Sequence, residues 1–172
     1  MFPIASVTIT GSPANTITFS GIPQIYTHLQ VRTNHQLTSA SSVGNGAFYF
    51  SQINGSGLAF NHQAYGNGAS VFSATDANMP VGYSLFTNLT NTFWSSSIID
   101  IVDYTNTNKL KTVKSISGSD QNGAGIVGVM SLYWNNSAAI NSMVFTGGGS
   151  NFQVGTRFDL YGLIGTPTAV TP

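Results

Sequence analysis

Few groups in this chain could carry acid–base or nucleophilic chemistry. Of 172 residues, five are Asp, five are Lys or Arg and three are His, with no Glu and no Cys. Asp100 and Asp103 are the closest acids, and paired carboxylates can divide general acid and base roles. Residues three apart on a strand point to opposite faces, however, so these two converge only across a bulge. The expected roles are a strand-end Asp103 near a turn and an Asp100 bonded to arginine or backbone. His28, His35 and His62 lack the i, i+2 spacing that would place two metal ligands on one strand face, and are expected to be exposed or hydrogen-bonded. Lys109, Lys111 and Lys114 form the basic cluster, with Lys109 and Lys111 on one strand face and Lys114 opposite. Neutralising the aspartates of the preceding strand suits them better than binding a polyanion.

Two motif matches fail on context. Gly123-Ala124-Gly125-Ile126-Val127-Gly128 fits G-x-G-x-x-G, but a dinucleotide site needs a strand before it and a helix after it. Here a polar turn, Gly118–Asn122, precedes it and a strand follows, which reads as a glycine-rich hairpin. Serine is abundant, but the G-x-S-x-G elbow is missing. Without cysteine there is no thiolate nucleophile, disulfide or Cys-ligated metal. The expectation is a protein that is not an enzyme, with no catalytic, cofactor-binding or metal-binding residue to name.

Aromatic residues remain. Tyr65, Phe72, Tyr83, Phe86, Phe93 and Trp94 lie in an Asn/Gly-rich middle. Such residues stack on sugars, anchor interfaces or fill cores; core or interface is favoured here. Residues 18–32, TFSGIPQIYTHLQVR, bring Tyr26, His28 and Arg32 within seven positions. Pro23 has no N–H to give a ladder and biases Ile22 away from helix. The segment therefore reads as a corner between sheets, with Tyr26 packed beneath it and Tyr26, His28 and Arg32 on one strand face.

The elements that must position these residues follow from composition and periodicity. Only 6% of the chain is charged, against ~25% in ordinary domains. Polarity comes from 21 Ser, 19 Thr and 16 Asn, residues of turns and strands rather than helices. Twenty aromatic residues and zero net charge argue against disorder. Zero net charge also removes the electrostatic basis for general nucleic-acid binding and weakens repulsion between copies. No apolar run has membrane-spanning length, and MFPIASVTITG lacks the basic region and apolar core of a signal peptide. The sequons at Asn54, Asn88 and Asn135 read as chance matches in so Asn-rich a chain.

Alternating apolar and polar residues mark strands at Ile4–Thr10, Asn15–Ser20, Ile25–Thr33, Gly46–Ile53, Ser70–Ala74, Val81–Phe86, Ser96–Tyr104, Leu110–Ser117, Ile126–Asn135, Ile140–Thr146 and Arg157–Ile164. Gly/Asn turns separate them. A short helical turn near Ala74–Met79 is the main helical candidate; Trp134–Ser137 reads as a hairpin loop. About nine to eleven short strands with little helix predict an all-β, antiparallel two-sheet sandwich. The chain divides into one domain over 1–165, with 1–12 as an N-terminal arm or edge strand, and a tail at 166–172. Ser96–Tyr104 and Ile126–Trp134 are apolar on both faces, as expected of strands covered twice or lying at a subunit contact.

Several short motifs together carry a resemblance: Phe-Ser-Gly-Ile-Pro-Gln before Tyr-Thr-His-Leu, Asp103-Tyr104-Thr105-Asn106 with Lys111-Thr112, Trp134 with Ile140-Asn141-Ser142-Met143, and Arg157-Phe158-Asp159-Leu160-Tyr161-Gly162. From about Val7 to Ile164 the chain resembles small all-β virion proteins of tailed bacteriophages, with a jelly-roll-like core. The resemblance implies a structural part of a phage particle, assembled in the host cytoplasm. A capsid decoration (cement) protein is favoured, homotrimeric and in contact with the major capsid protein or another virion protein. The alternative is a tail-fibre or receptor-binding module that takes carbohydrate.

Overall fold

The computed structural model describes residues 1–38, 45–57, 61–76, 80–87, 93–120 and 125–164. They form thirteen strands and no helix: β1 (Phe2–Thr8), β2 (Thr16–Ser20), β3 (His28–His35), β4 (Leu37–Thr38), β5 (Asn45–Ile53), β6 (Asn61–Gly66), β7 (Val71–Asp76), β8 (Pro80–Thr87), β9 (Ser95–Val102), β10 (Lys111–Asp120), β11 (Gly125–Trp134), β12 (Ser142–Thr146) and β13 (Arg157–Leu163). All eleven strands read from alternation are present. The other two are β4, too short to show a period, and β6, whose sequence NHQAYG has no apolar alternation. The helical turn expected near Ala74–Met79 is strand through Asp76, and residues 77–79 lie outside the described residues.

The wide sheet runs β1-β13-β3-β9-β10-β11-β6-β7 and the narrow one β2-β12-β5-β8-β4. Pairing is antiparallel except between β4 and β8. Early strands pair with late ones, alternately in the two sheets: β1 with β13, β2 with β12, then β13 with β3 and β12 with β5. A ribbon folded back on itself and wound around a sandwich gives this nesting, which is the jelly roll. The β10–β11 and β6–β7 hairpins extend the wide sheet beyond that core.

Alternation places one face of each central strand inside. Leu29 and Val31 of β3, Ile99 and Ile101 of β9, and Phe158 and Leu160 of β13 are buried against Phe48, Phe50, Met143 and Phe145 of the narrow sheet. The centre is aromatic: the Phe158 ring lies 5.4 Å from Phe145 and 5.5 Å from Phe48, each in the opposite sheet, and 5.3 Å from Phe152 in the β12–β13 connection. Edge and tilted contacts of this kind add to what burial alone contributes.

The GIPQIY stretch is the predicted corner. Gln24 Nε2 donates to the carbonyls of Ile22 and Ile140, both at 2.8 Å. The buried Tyr104 hydroxyl donates to the Pro23 carbonyl. Tyr26 packs inward, as expected of a ring beneath the corner, but departs from the expected strand face. It precedes β3 and packs against the core instead of sharing the outer face with His28 and Arg32. Its ring lies on Gly162, directly where a β-carbon would stand, and stacks 5.9 Å from Phe2. The glycine of the terminal Leu-Tyr-Gly run is thus the floor on which this tyrosine rests. Replacing Gly162 by Ala should displace the ring and destabilise the fold by about 1–3 kcal/mol. Urea unfolding checks this, and Tyr26→Ala in the same chain should recover part of the loss, a coupling absent if the two residues act independently.

Candidate assembly face

Of the residues singled out for chemistry, His28, Asp103 and Lys109 meet just beyond β9, while Asp100, His35 and His62 stand apart from them. Asp100 is half-buried on the outer face of β9 and accepts from Gln30 Nε2 at 2.8 Å, rather than from arginine or backbone. Lys114 of β10 stands opposite it in register. Asp103 lies just beyond β9 in left-handed conformation, φ 50°. Its N–H donates to His28 Nδ1 at 2.9 Å, and its carboxylate pairs with Lys109. His35 is buried, with Nδ1 2.8 Å from Thr33 Oγ1 and its ring edge-on to Phe48. His62 is exposed on β6. Among the described residues no three His, Cys, Asp or Glu side chains group to hold a metal. Of the G-x-G-x-x-G match, Gly125–Gly128 opens β11, while 123 and 124 lie outside the described residues.

The lysine cluster folds differently from its expected pattern. Lys109 precedes β10 and is exposed, so it does not share a strand face with Lys111. Lys111 points inward with Val113 and Ser115 and has no accessible surface. Its Nζ donates to the carbonyls of Asn106, Lys109 (3.0 Å) and Ser137 (2.8 Å). An ammonium has three donors and no acceptor, so three carbonyls match it fully. Burial lowers the Lys111 pKa below the ordinary lysine value, and the Lys109 charge adds to this. The Asp103 pKa is lowered from the ordinary 3.8, mainly by the Lys109 hydrogen bond.

The connection from β11 to β12 meets this cluster. It crosses between the sheets and is not the hairpin that Trp134–Ser137 suggested. Asn54, with φ 49°, donates through Nδ2 to the Ala139 carbonyl at 2.8 Å and accepts the Asn141 and Ser142 N–H groups at 2.9 and 3.1 Å. This Asn54 amide is a structural clamp. The Asn88 sequon lies outside the described residues.

What the sequence pattern flagged as doubly apolar is the outer face of the wide sheet. Ile98, Ile116 and Val129 stand side by side across β9, β10 and β11. Their exposures are 39%, 51% and 56%, and Val127 reaches 57%. The inner faces of the same strands are buried through Ile99, Val113 and Met130. Arg32 and Asp159 continue the row on one side, Ala64 and Ser73 on the other. Among the described residues these strands are covered on one face, and the apolar band on the other is exposed.

Of the middle aromatics, Tyr65 is partly buried against the core and three others lie outside it. Phe72, Phe93 and Trp94 are exposed, with Phe72 stacked on Tyr65 at 5.2 Å. The side chains of Tyr83 and Phe86 lie outside those described. The sequence signal for the outer row was parity: Val113 and Ile116 are three apart, so one had to face out. The same parity put Lys111 inside with Val113. No protein family, curated protein or solved structure matches this chain.

Two outcomes follow from the lysine cluster. Lys111→Met should lower unfolding stability by about 3 kcal/mol, because three inward carbonyls lose a charged donor; a change within about 0.5 kcal/mol, the usual range for a surface site, would sink the cage. Because the Asp103 pKa is depressed, its contribution is present above pH 3.8 and is lost as pH falls through the lower folded-state value. Urea midpoints taken from about pH 5 down to about pH 2.5 should fall less steeply in Lys109→Ala than in the wild type.

Proposed function

We propose that this chain is a non-enzymatic structural subunit of a bacteriophage virion, a capsid decoration protein that stabilises the head through contacts between copies and with the capsid. The observation that carries the assembly role is the solvent-facing row Ile98–Ile116–Val129 at the middle of a sheet. Contiguous exposed apolar surface of this kind is typical of protein–protein contacts. Charge does not oppose association. The chain has no net charge, and charges on this sheet are met within it: Arg157 Nε donates to Asp159 at 2.8 Å, and Arg32 lies over the Tyr161 ring at 5.6 Å. The resemblance of the Gly-Ile-Pro-Gln corner and the Leu-Tyr-Gly strand to virion proteins supports the particle, and the jelly roll suits it. A homotrimer is the favoured assembly. Asp100, His35 and His62 stand apart, and Asp103 is engaged by His28 and Lys109, which favours a scaffold over a reaction centre.

Light scattering on the size-exclusion peak should give an oligomer, three copies on this reading, for the wild type. Ile116→Lys should shift that peak toward monomer while changing intrinsic stability by no more than about 0.5 kcal/mol, as at other exposed sites. A wild-type protein that stays monomeric when concentrated and does not co-sediment with phage heads would overturn the reading.

A further inference from the structure

One end of the wide sheet's outer face sinks into an open trough of about 600 Å³. Its origin lies in one cross-strand row. Ser96 of β9, Gly118 of β10, Val127 of β11 and Gly66 of β6 stand in register, so two of four positions have no side chain. Trp94 lines the trough with 37% of its surface exposed, and its ring rests against Gly155. Asn67 and Asp120 also line it. Asn67 Oδ1 accepts the N–H groups of Ala69 and Ser70 at 3.1 and 2.9 Å, which fixes the amide. Ser119 Oγ, shut off from solvent beside the trough, has no hydrogen-bond partner among the described residues.

We propose that this trough binds a neutral saccharide, a function beyond the assembly role. A sugar ring has an apolar C–H face and a rim of hydroxyls. The exposed indole suits the face, while a carboxylate acceptor, an amide donor and the exposed Ser96 hydroxyl suit the rim. Among the described residues lining the trough, Asp120 is the sole ionisable one, with no Lys, Arg or His. That charge disfavours phosphate, sulfate, sialic acid and nucleic acid, leaving an uncharged hydroxylated ligand. The side-chain-free floor lets such a ligand approach the sheet backbone.

The test uses the full chain on an array carrying neutral, sialylated and sulfated glycans, followed by solution titration of the best ligand with tryptophan fluorescence. Trp134 is buried, so of the two tryptophans Trp94 is the one a ligand in the trough would touch. Neutral glycans should be retained and acidic ones should not. Trp94→Ala should weaken binding at least about tenfold, a loss of about 1.4 kcal/mol. Gly118→Val should do the same by filling the floor, and it should fold, because the nearest atom to the added β-carbon, the Ile126 carbonyl oxygen, is 3.8 Å away. Ile116→Lys should leave the solution affinity unchanged, which separates this site from the assembly face. No neutral glycan bound by the wild type at millimolar concentration, a preference for acidic glycans, or unaltered affinity in Gly118→Val would each overturn the proposal.

Discussion

One short connection, residues 137–141, holds an entire end of the sandwich together. Its backbone groups are shared out among distant parts of the chain. The Ser137 carbonyl accepts from Lys111, that of Ala139 from Asn54, that of Ile140 from Gln24, and that of Asn141 from the Ile22 N–H. The Ile140 N–H returns to the Tyr104 carbonyl. A chain crossing from one sheet to the other leaves the ladder and must find partners for each buried polar group. Here the partners come from the β2–β3 corner, the end of β5, the β9–β10 turn and β10 itself. Closing those four regions onto one segment fixes how the two sheets are aligned. The buried lysine, the left-handed asparagine and the proline corner are therefore parts of one arrangement.

The phenylalanine centre supplies the other half of that alignment. Phe145 and Phe158 lie in strands that come late in the chain, and Phe19 and Phe48 in strands that come early. Bringing such distant segments together costs loop-closure entropy, and burial of large aromatic surface offsets it. The same logic applies to the outer face of the wide sheet. Eight strands in one sheet face five in the other, and among the described residues only the inner face of the wide sheet has a covering layer. Along β9, β10 and β11 the chain spends isoleucine and valine on the uncovered side as well. Burial among the described residues gives no reason for them; the proposed contact with another copy would.

Much of this was legible beforehand, for definite reasons. Period-two alternation is a local signal, and it located strands wherever one face met a core. It was silent at β6, where polar residues dominate, and at β4, where two residues show no period. Corners were readable when proline and glycine made them, as at Gly21-Ile22-Pro23. Pairing between strands was not, because nothing local to Thr16–Ser20 says that its neighbour is Ser142–Thr146. Side-chain destinations failed where a tertiary contact overrode the local pattern. Lys111 looked like a surface charge because lysine nearly always is one, although its parity with Val113 pointed inward. Tyr26 looked like a strand residue beside His28, but the vacancy above Gly162 drew it into the core. Core or interface was open for the middle aromatics, because composition alone does not distinguish a ring that fills a cavity from one that borders a trough.

Scarcity of charge ties these features together. A surface rich in lysine and glutamate would keep copies apart and guard sheet edges. This chain has ten such charges in all. One is caged inside as Lys111, two more are joined as Asp103 and Lys109, and two as Arg157 and Asp159. The work that charges commonly do at loop ends passes to neutral amides, Gln24 and Asn54 foremost, whose hydrogen bonds are short-ranged and insensitive to salt. Amide contacts of this kind depend little on ionic strength, and under the proposed assembly role the outer face would meet a neighbour with little Coulombic opposition. Association through that face should therefore depend weakly on salt and strongly on the apolar side chains of a few central strands, which is the opposite balance to an electrostatically steered complex.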